Sequence, residues 1–321
     1  MNILVYGAGA IGSVIGGFLA KAGHEVSFLG RPWHMEKIRS DGLFITGIWG
    51  EHLIKDLNVY TDVSQLKNKS FDLIILTVKS YDTESAAREI KNMFKPHTVV
   101  VHLQNGLGNA ETLLKYIPED KLITGIVIFG AEIVEPGKVK VTVSADKTVL
   151  GSIGNVSESK VKEIAEIFNQ AGIPARATNE IEKYLWAKVL YNCALNPLAS
   201  LLEVPYGVLA ENPNTRKIMD QIIEEIYEVG KRMGVKFEPE TAEEYKQLFY
   251  SRLIPLTAEH HASMLQDIKK GRRTEIDALC GAISRYGEEL GIPTPANTLI
   301  THLIKAKESI SRNRRNKSPH K

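Results

Sequence analysis

The first thirty residues constrain this chain more than any other stretch. Asn2-Ile3-Leu4-Val5-Tyr6 is a short apolar run, and it turns directly into Gly7-Ala8-Gly9-Ala10-Ile11-Gly12. A helix-compatible segment, Ser13 to Ala22, follows, and a second apolar run, Val26-Ser27-Phe28-Leu29, ends at Gly30-Arg31. Strand, glycine loop, helix and strand in that order make GxGxxG a dinucleotide-binding fingerprint rather than a flexible loop. Gly7 permits the tight turn, Gly9 lets the backbone approach a pyrophosphate, and Gly12 lets the helix pack closely on the strand. The free N–H groups at the helix start, together with the helix dipole, then hold the phosphates. The whole run Gly7, Ala8, Gly9, Ala10, Ile11 and Gly12 is therefore assigned to the cofactor.

The second strand says which dinucleotide. An acidic residue at its end would accept hydrogen bonds from the ribose 2′-hydroxyl of NAD, whereas Arg suits the extra phosphate of NADP. Here the strand ends at Gly30-Arg31 with no Asp or Glu at the tip, and Glu25 lies at the far end of the strand. Arg31 offers a planar, permanently charged fork for a phosphate. NADPH is the expected cofactor, and no metal site is assigned.

Apolar runs bounded by turns recur through the first half: Leu73 to Val78, Thr98 to Leu103, Leu122 to Phe129, Val139 to Val143 and Thr148 to Leu150. Helix-like segments lie between them, at Thr83 to Met93, Ala110 to Tyr116 and Ser159 to Ala171. This alternation predicts a doubly wound α/β fold, a mostly parallel sheet with helices on both faces. Val139 to Val143 alternates apolar and polar residues, which predicts an antiparallel extension at a sheet edge. A last extended piece covers Ile173 to Ala177.

From about Glu180 long helical patterns dominate: Glu180 to Leu202, Thr215 to Met233, Pro239 to Ser251, Pro255 to Lys269, Glu275 to Glu289 and Pro295 to Lys307. Gly or Pro punctuates the joints. The expected organisation is a nucleotide-binding domain over 1–178, an all-helical substrate and catalytic domain over 179–310, and a disordered basic tail over 311–321. A length of 321 residues suits two domains. The net charge of +2 is too small to argue for a nucleic-acid partner. Cys193 and Cys280 form no disulfide framework and suit buried thiols in a reducing compartment. With no signal-peptide pattern and no apolar run of roughly eighteen residues, the expectation is a cytoplasmic protein without a membrane partner.

The segment from Trp186 to Leu198 is otherwise apolar, yet Lys188, Asn192 and Asn196 fall at i, i+4 and i+8. Steps of four rotate only about 40° around a helix, so the three polar groups form one narrow stripe. Buried without partners, each would cost a few kcal/mol. The stripe therefore points to a polar ligand rather than to a surface lysine with two capping amides. Pro197 cannot donate to the Cys193 carbonyl and should bend or end the helix.

Other candidates sit at strand ends, where open α/β sheets bind ligands. Lys79 follows Leu73 to Val78, and Asn105-Gly106 follows Thr98 to Leu103. Read alone, Asn-Gly is often only a turn. In the helical half, Ser263 precedes Met264-Leu265-Gln266-Asp267, and Glu275 stands where a helix is expected to open.

Taken together, these pieces resemble the ketopantoate reductase family, from the first strand to about Glu308. The resemblance rests on Gly7 to Gly12, Gln104-Asn105-Gly106, Lys188 to Leu198, and Ser263 to Glu275. It implies an N-terminal Rossmann domain, a C-terminal helical domain, and NADPH-dependent reduction of a 2-oxo acid, with 2-dehydropantoate the expected substrate. It implies that the lysine matched by Lys188 is the general acid, and that the glutamate matched by Glu275 holds substrate and orients the lysine. Positions matching Asn105, Asn192, Asn196 and Ser263 contact substrate or shape the site. Arg31 and Lys79 match positions on the cofactor side, to which Asn105 and Glu275 are assigned as well. A homodimer through the helical domain would suit such an enzyme, although no segment identifies an interface.

Two positions depart from the family pattern. Tyr206 stands in place of an asparagine after the lysine-bearing helix, and His260 replaces another, three residues before Ser263. These changes bear on which 2-oxo acid is accepted. The rival readings are a related two-domain dehydrogenase for another oxo or hydroxy acid, and an NADPH sensor without turnover. A sensor would need only the glycine loop and Arg31, so Lys188, Asn192 and Glu275 together weigh against it.

Overall fold

The computed structural model describes residues 1–317, which form two compact units. The first comprises Met1–Gln104 and Asn109–Ile181; the second comprises Asn105–Gly108 and the chain from Glu182 onward.

The strands of the first unit are β1 (Asn2–Tyr6), β2 (Glu25–Leu29), β3 (Leu43–Gly47), β4 (His52–Ile54), β5 (Asn58–Tyr60), β6 (Leu73–Leu76), β7 (Val99–His102), β8 (Leu122–Ile126), β9 (Phe129–Glu135), β10 (Lys138–Ser144), β11 (Thr148–Gly151) and β12 (Ala175–Ala177). Its helices are α1 (Ala10–Lys21), α2 (Pro32–Asp41), α3 (Thr83–Ile90), α4 (Asn109–Leu114) and α5 (Glu158–Gln170). The main sheet has eight strands in the order β12-β11-β8-β7-β6-β1-β2-β5. All of its pairings are parallel except β8 with β11. The apolar runs are continuous because both faces are covered. Alternate residues of β1 show this: Ile3 and Val5 join the core under α1 and α5, while Leu4 and Tyr6 join the core under α3 and α4.

The chain crosses from β1 outward to β2 and β5 on one side, and to β6, β7 and β8 on the other. The order therefore reverses beside β1, the place where such sheets bind ligands. There the backbone turns sharply. Gly7 has φ +98, and a Cβ on it would lie 2.6 Å from the Val78 amide nitrogen. The N–H groups of Gly7 and Ala8 both bond the Leu29 carbonyl, at 2.9 and 2.8 Å, which ties the loop to the end of β2.

A second sheet corrects one expectation. β10 does not extend the edge of the main sheet. It sits inside a four-stranded sheet, β4-β3-β10-β9, parallel to β3 and antiparallel to β9. Its alternation has a tertiary cause: Val139 and Val141 point into the same core as Val14, Ile15 and Phe18 of α1, so the helix is covered by both sheets. The strands β4 and β5, three residues each, are too short to show a period of their own.

In the second unit the helices are α6 (Ile181–Leu202), α7 (Tyr206–Glu211), α8 (Pro213–Arg232), α9 (Ala242–Leu248), α10 (Ser263–Lys269), α11 (Cys280–Leu290) and α12 (Pro295–Lys317). α6 supplies Trp186, Val189, Leu190, Cys193, Ala194 and Leu198 to one core with residues of α8, α10, α11 and α12. Pro197 neither ends nor interrupts α6. The Cys193 carbonyl that it leaves without an amide donor accepts instead from the Cys280 thiol, at 3.7 Å.

Two further expectations about helices change. Pro255 to Lys269 is not one helix, because α10 begins only at Ser263. The carbonyls of Ala258 and His260 are taken by the N–H groups of Gly207 and Tyr206 at the start of α7. Glu275 does not open a helix either. It precedes a short 3-10 turn, Ile276–Ala278, and α11 starts at Cys280. α12 runs past its expected end at Lys307 to Lys317, so the first part of the basic tail is helical. The rest of that tail, 318–321, lies outside the described residues. No helix among the described residues is long and apolar enough to cross a membrane.

Candidate functional site

The polar stripe of α6 is present as the helical period requires. Asn196 is buried at 7% exposure, and Lys188 and Asn192 are half-buried. Asn192 and Asn196 open onto a small, narrow cleft. Asn105, Ser263 and Glu275 line the same cleft, although they lie far away in sequence.

Each arrives by its own local structure. Asn105 comes on the segment Asn105–Gly108, which packs on the turn before α11. The Leu107 N–H donates to the Ala278 carbonyl at 2.7 Å. Gly106 has φ +87, and a Cβ there would stand 2.3 Å from the same oxygen, so only glycine allows this approach. Ser263 begins α10, on the rim. Glu275 is held by its neighbours. The Thr274 N–H donates to the Glu308 carboxylate of α12 at 2.8 Å, and the Thr274 hydroxyl donates to the same oxygen. Asp277 pairs with Arg273 at 2.8 Å and Lys305 at 2.5 Å.

Lys188 is the electrostatic centre of this group. Burial pushes its pKa down to about 8, and the nearby Glu275 carboxylate opposes the shift by pulling it up. At neutral pH the ammonium is still mostly charged, yet its proton is far more acidic than that of a solvated lysine. Such a group can hold and release a proton in the physiological range.

The cleft also contains residues that the sequence reading passed over: Met264, Asp267 and Leu279. Asp267 had a usable signal, because it lies four residues after Ser263 and shares its helix face. Tyr206 was noted only as a departure. Its hydroxyl donates a short hydrogen bond to Oδ1 of Asn196.

The remaining candidates belong to the first unit and gather at the C-terminal edge of its sheet. Gly7 to Gly12 join β1 to α1, whose first turn carries no acidic side chain and no side-chain cap. Its leading N–H groups thus have no intrahelical partner. A Cβ built on Gly9 would meet only the Gly7 carbonyl oxygen, at 3.8 Å, leaving room for a phosphate to approach. Thr77, just after β6, donates from Oγ1 to the Gly7 carbonyl at 2.9 Å and ties down the strand that leads to the half-buried Lys79. Arg31 is exposed at the N-cap of α2, two residues beyond the carbonyl that grips the loop. The donor set fits a phosphorylated dinucleotide. The structure does not bring these residues and the α6 cleft into one unit.

Comparison with known proteins covers nearly the whole chain. Residues 3–155 match the family described as ketopantoate reductase PanE/ApbA, and residues 180–308 match its C-terminal counterpart. A 2-dehydropantoate 2-reductase of Aquifex aeolicus is 43% identical over 309 residues, 96% of this chain and 97% of its own. One from Pyrococcus abyssi is 35% identical, covering 97% and 99%. Among solved structures, a PanE/ApbA family ketopantoate reductase from Ralstonia eutropha superposes with a TM-score of 0.87 at 32% identity, covering 97% of this chain and all of its own. A D-mandelate dehydrogenase solved with NADH and anilino(oxo)acetate gives 0.89 at 30% identity, with 97% and 99% covered.

Proposed function

The chain belongs to the ketopantoate reductase family, and on that footing we propose that it reduces 2-dehydropantoate to pantoate with NADPH. The observation that carries this reading is the cleft lined by three amides, a serine and two carboxylates, with two of the amides on the same helix stripe as Lys188, whose pKa burial pushes down to about 8. Bound NADPH supplies the hydride. As it reaches the ketone carbon, negative charge grows on the carbonyl oxygen, and a cation beside that oxygen lowers the barrier most. Lys188 fills that place and donates the proton. Glu275 keeps the ammonium charged and aligned. Asn105 and Asn192 offer amide donors that hold the carbonyl in register, and Ser263 takes the substrate carboxylate or hydroxyl. On the cofactor side, the backbone of Gly7 to Gly12 receives the pyrophosphate and Arg31 receives the 2′-phosphate. Lys79 adds a second cation. A cytoplasmic setting suits the two free thiols.

The likeness to a D-mandelate dehydrogenase, with Tyr206 bonded to Asn196 of the cleft and His260 packed on the Tyr206 ring, favours a second reading in which the substrate is a 2-oxo acid with a bulkier apolar group. Loss of NADPH absorbance, followed with 2-dehydropantoate and with oxo(phenyl)acetate at matched concentrations, separates the two. Faster turnover of 2-dehydropantoate is expected. Preference for oxo(phenyl)acetate selects the second reading, and no turnover of either removes both.

A further inference from the structure

Tyr206 opens α7 with only 3% of its surface exposed. Its position is over-determined. Its N–H donates to the His260 carbonyl at 3.1 Å, and its ring lies against that of His260, with centroids 5.3 Å apart. On another side it meets Tyr191 edge-on at 6.0 Å, and the Tyr191 hydroxyl is itself tied to Oγ1 of Thr257 at 2.5 Å. The phenol is therefore delivered to one point, Oδ1 of Asn196. Burial raises its pKa far above the ordinary value, so it remains a proton donor throughout the working pH range.

A primary amide can offer either its oxygen or its nitrogen to a ligand, and a half-turn exchanges the two. Tyr206 removes that choice. With the amide reversed, the Asn196 NH₂ would donate to the phenolic oxygen, and the phenolic proton would have to turn away from Asn196, where no other acceptor meets it among the described residues; a buried donor left without an acceptor is costly. Asn196 makes no other side-chain hydrogen bond among the described residues, so its Nδ2 remains to serve the cleft. We propose that Tyr206 is a positioning residue that locks the Asn196 amide with Nδ2 toward the ligand, making that corner of the cleft specific for a substrate oxygen that only accepts. A carboxylate or oxo group fits there; a hydroxyl that must donate does not. The inference rests on the reductase reading above.

The test compares wild type with Tyr206→Phe, which deletes the hydroxyl and keeps the ring in its box. The KM for the 2-oxo acid is expected to rise about tenfold, with kcat within about twofold and the KM for NADPH unchanged. In an Asn196→Ala background, Tyr206→Phe should add nothing further to KM. An unchanged KM, an equal rise in both backgrounds, or a loss confined to kcat overturns the positioning role. Should Tyr206→Phe fold poorly, the NADPH-bound wild type is read directly: the Asn196 side-chain NH₂ resonances must shift when the 2-hydroxy acid is added, and static resonances overturn the proposal. A wild type that turns over no 2-oxo acid overturns the reductase reading and this inference together. An active wild type with an indifferent Tyr206→Phe overturns this inference alone.

Discussion

At the scale of single residues, the proposed reaction turns on Lys188, whose acidity is set by its burial and by Glu275. Lys188→Ala should lower turnover by roughly 10²–10⁴ while NADPH still binds, as fluorescence titration can show. With the ammonium as the proposed proton donor, kcat/KM should hold below about pH 8 and fall as pH rises through that value. Glu275→Gln removes the charge that pulls the lysine's pKa up, so the alkaline limb should move to lower pH. A limb that stays in place would uncouple the two residues. Arg31 belongs to the same scale. Arg31→Ala should weaken NADPH far more than NADH, and equal losses would argue against a 2′-phosphate contact. Its position after β2 was legible in the sequence because it depends on one short strand and the residues that follow it.

At the scale of elements, the cleft depends on turns that hold loops against helices. Gly106 is the sharpest case, with positive φ and no space for a Cβ. Gly106→Ala should destabilise the protein by more than about 1 kcal/mol in denaturant unfolding and displace Asn105, raising the KM of the 2-oxo acid. The α6 stripe was readable from spacing because one helix fixes the relative directions of residues four apart. The break of Pro255 to Lys269 was not readable. That segment could be helical on its own pattern, and it opens because its carbonyls serve the first N–H groups of α7. Pro197 did not end α6 for a similar reason. The carbonyl it strands finds a thiol on α11, a partner eighty-seven residues away along the chain.

At the scale of the whole molecule, the two units divide the labour of the proposed reaction. The first carries the glycine loop, Arg31 and Lys79; the second carries Lys188 and the amide cleft. Ligand binding to the folded state alone should stabilise it, by about 2.7 kcal/mol at a hundred times the dissociation constant. NADPH should therefore raise the melting temperature more than NADH does at equal concentration. The sequence by itself determined the cofactor loop and the lysine stripe, because a tight turn and a helical period are enforced by neighbouring residues alone. Tertiary structure decided the rest. Packing between distant segments chose the sheet that β10 joins, brought Asn105, Ser263 and Glu275 to one cleft, and set the Tyr206 phenol against Asn196. Such meetings depend on which surfaces bury one another, and no local pattern records that.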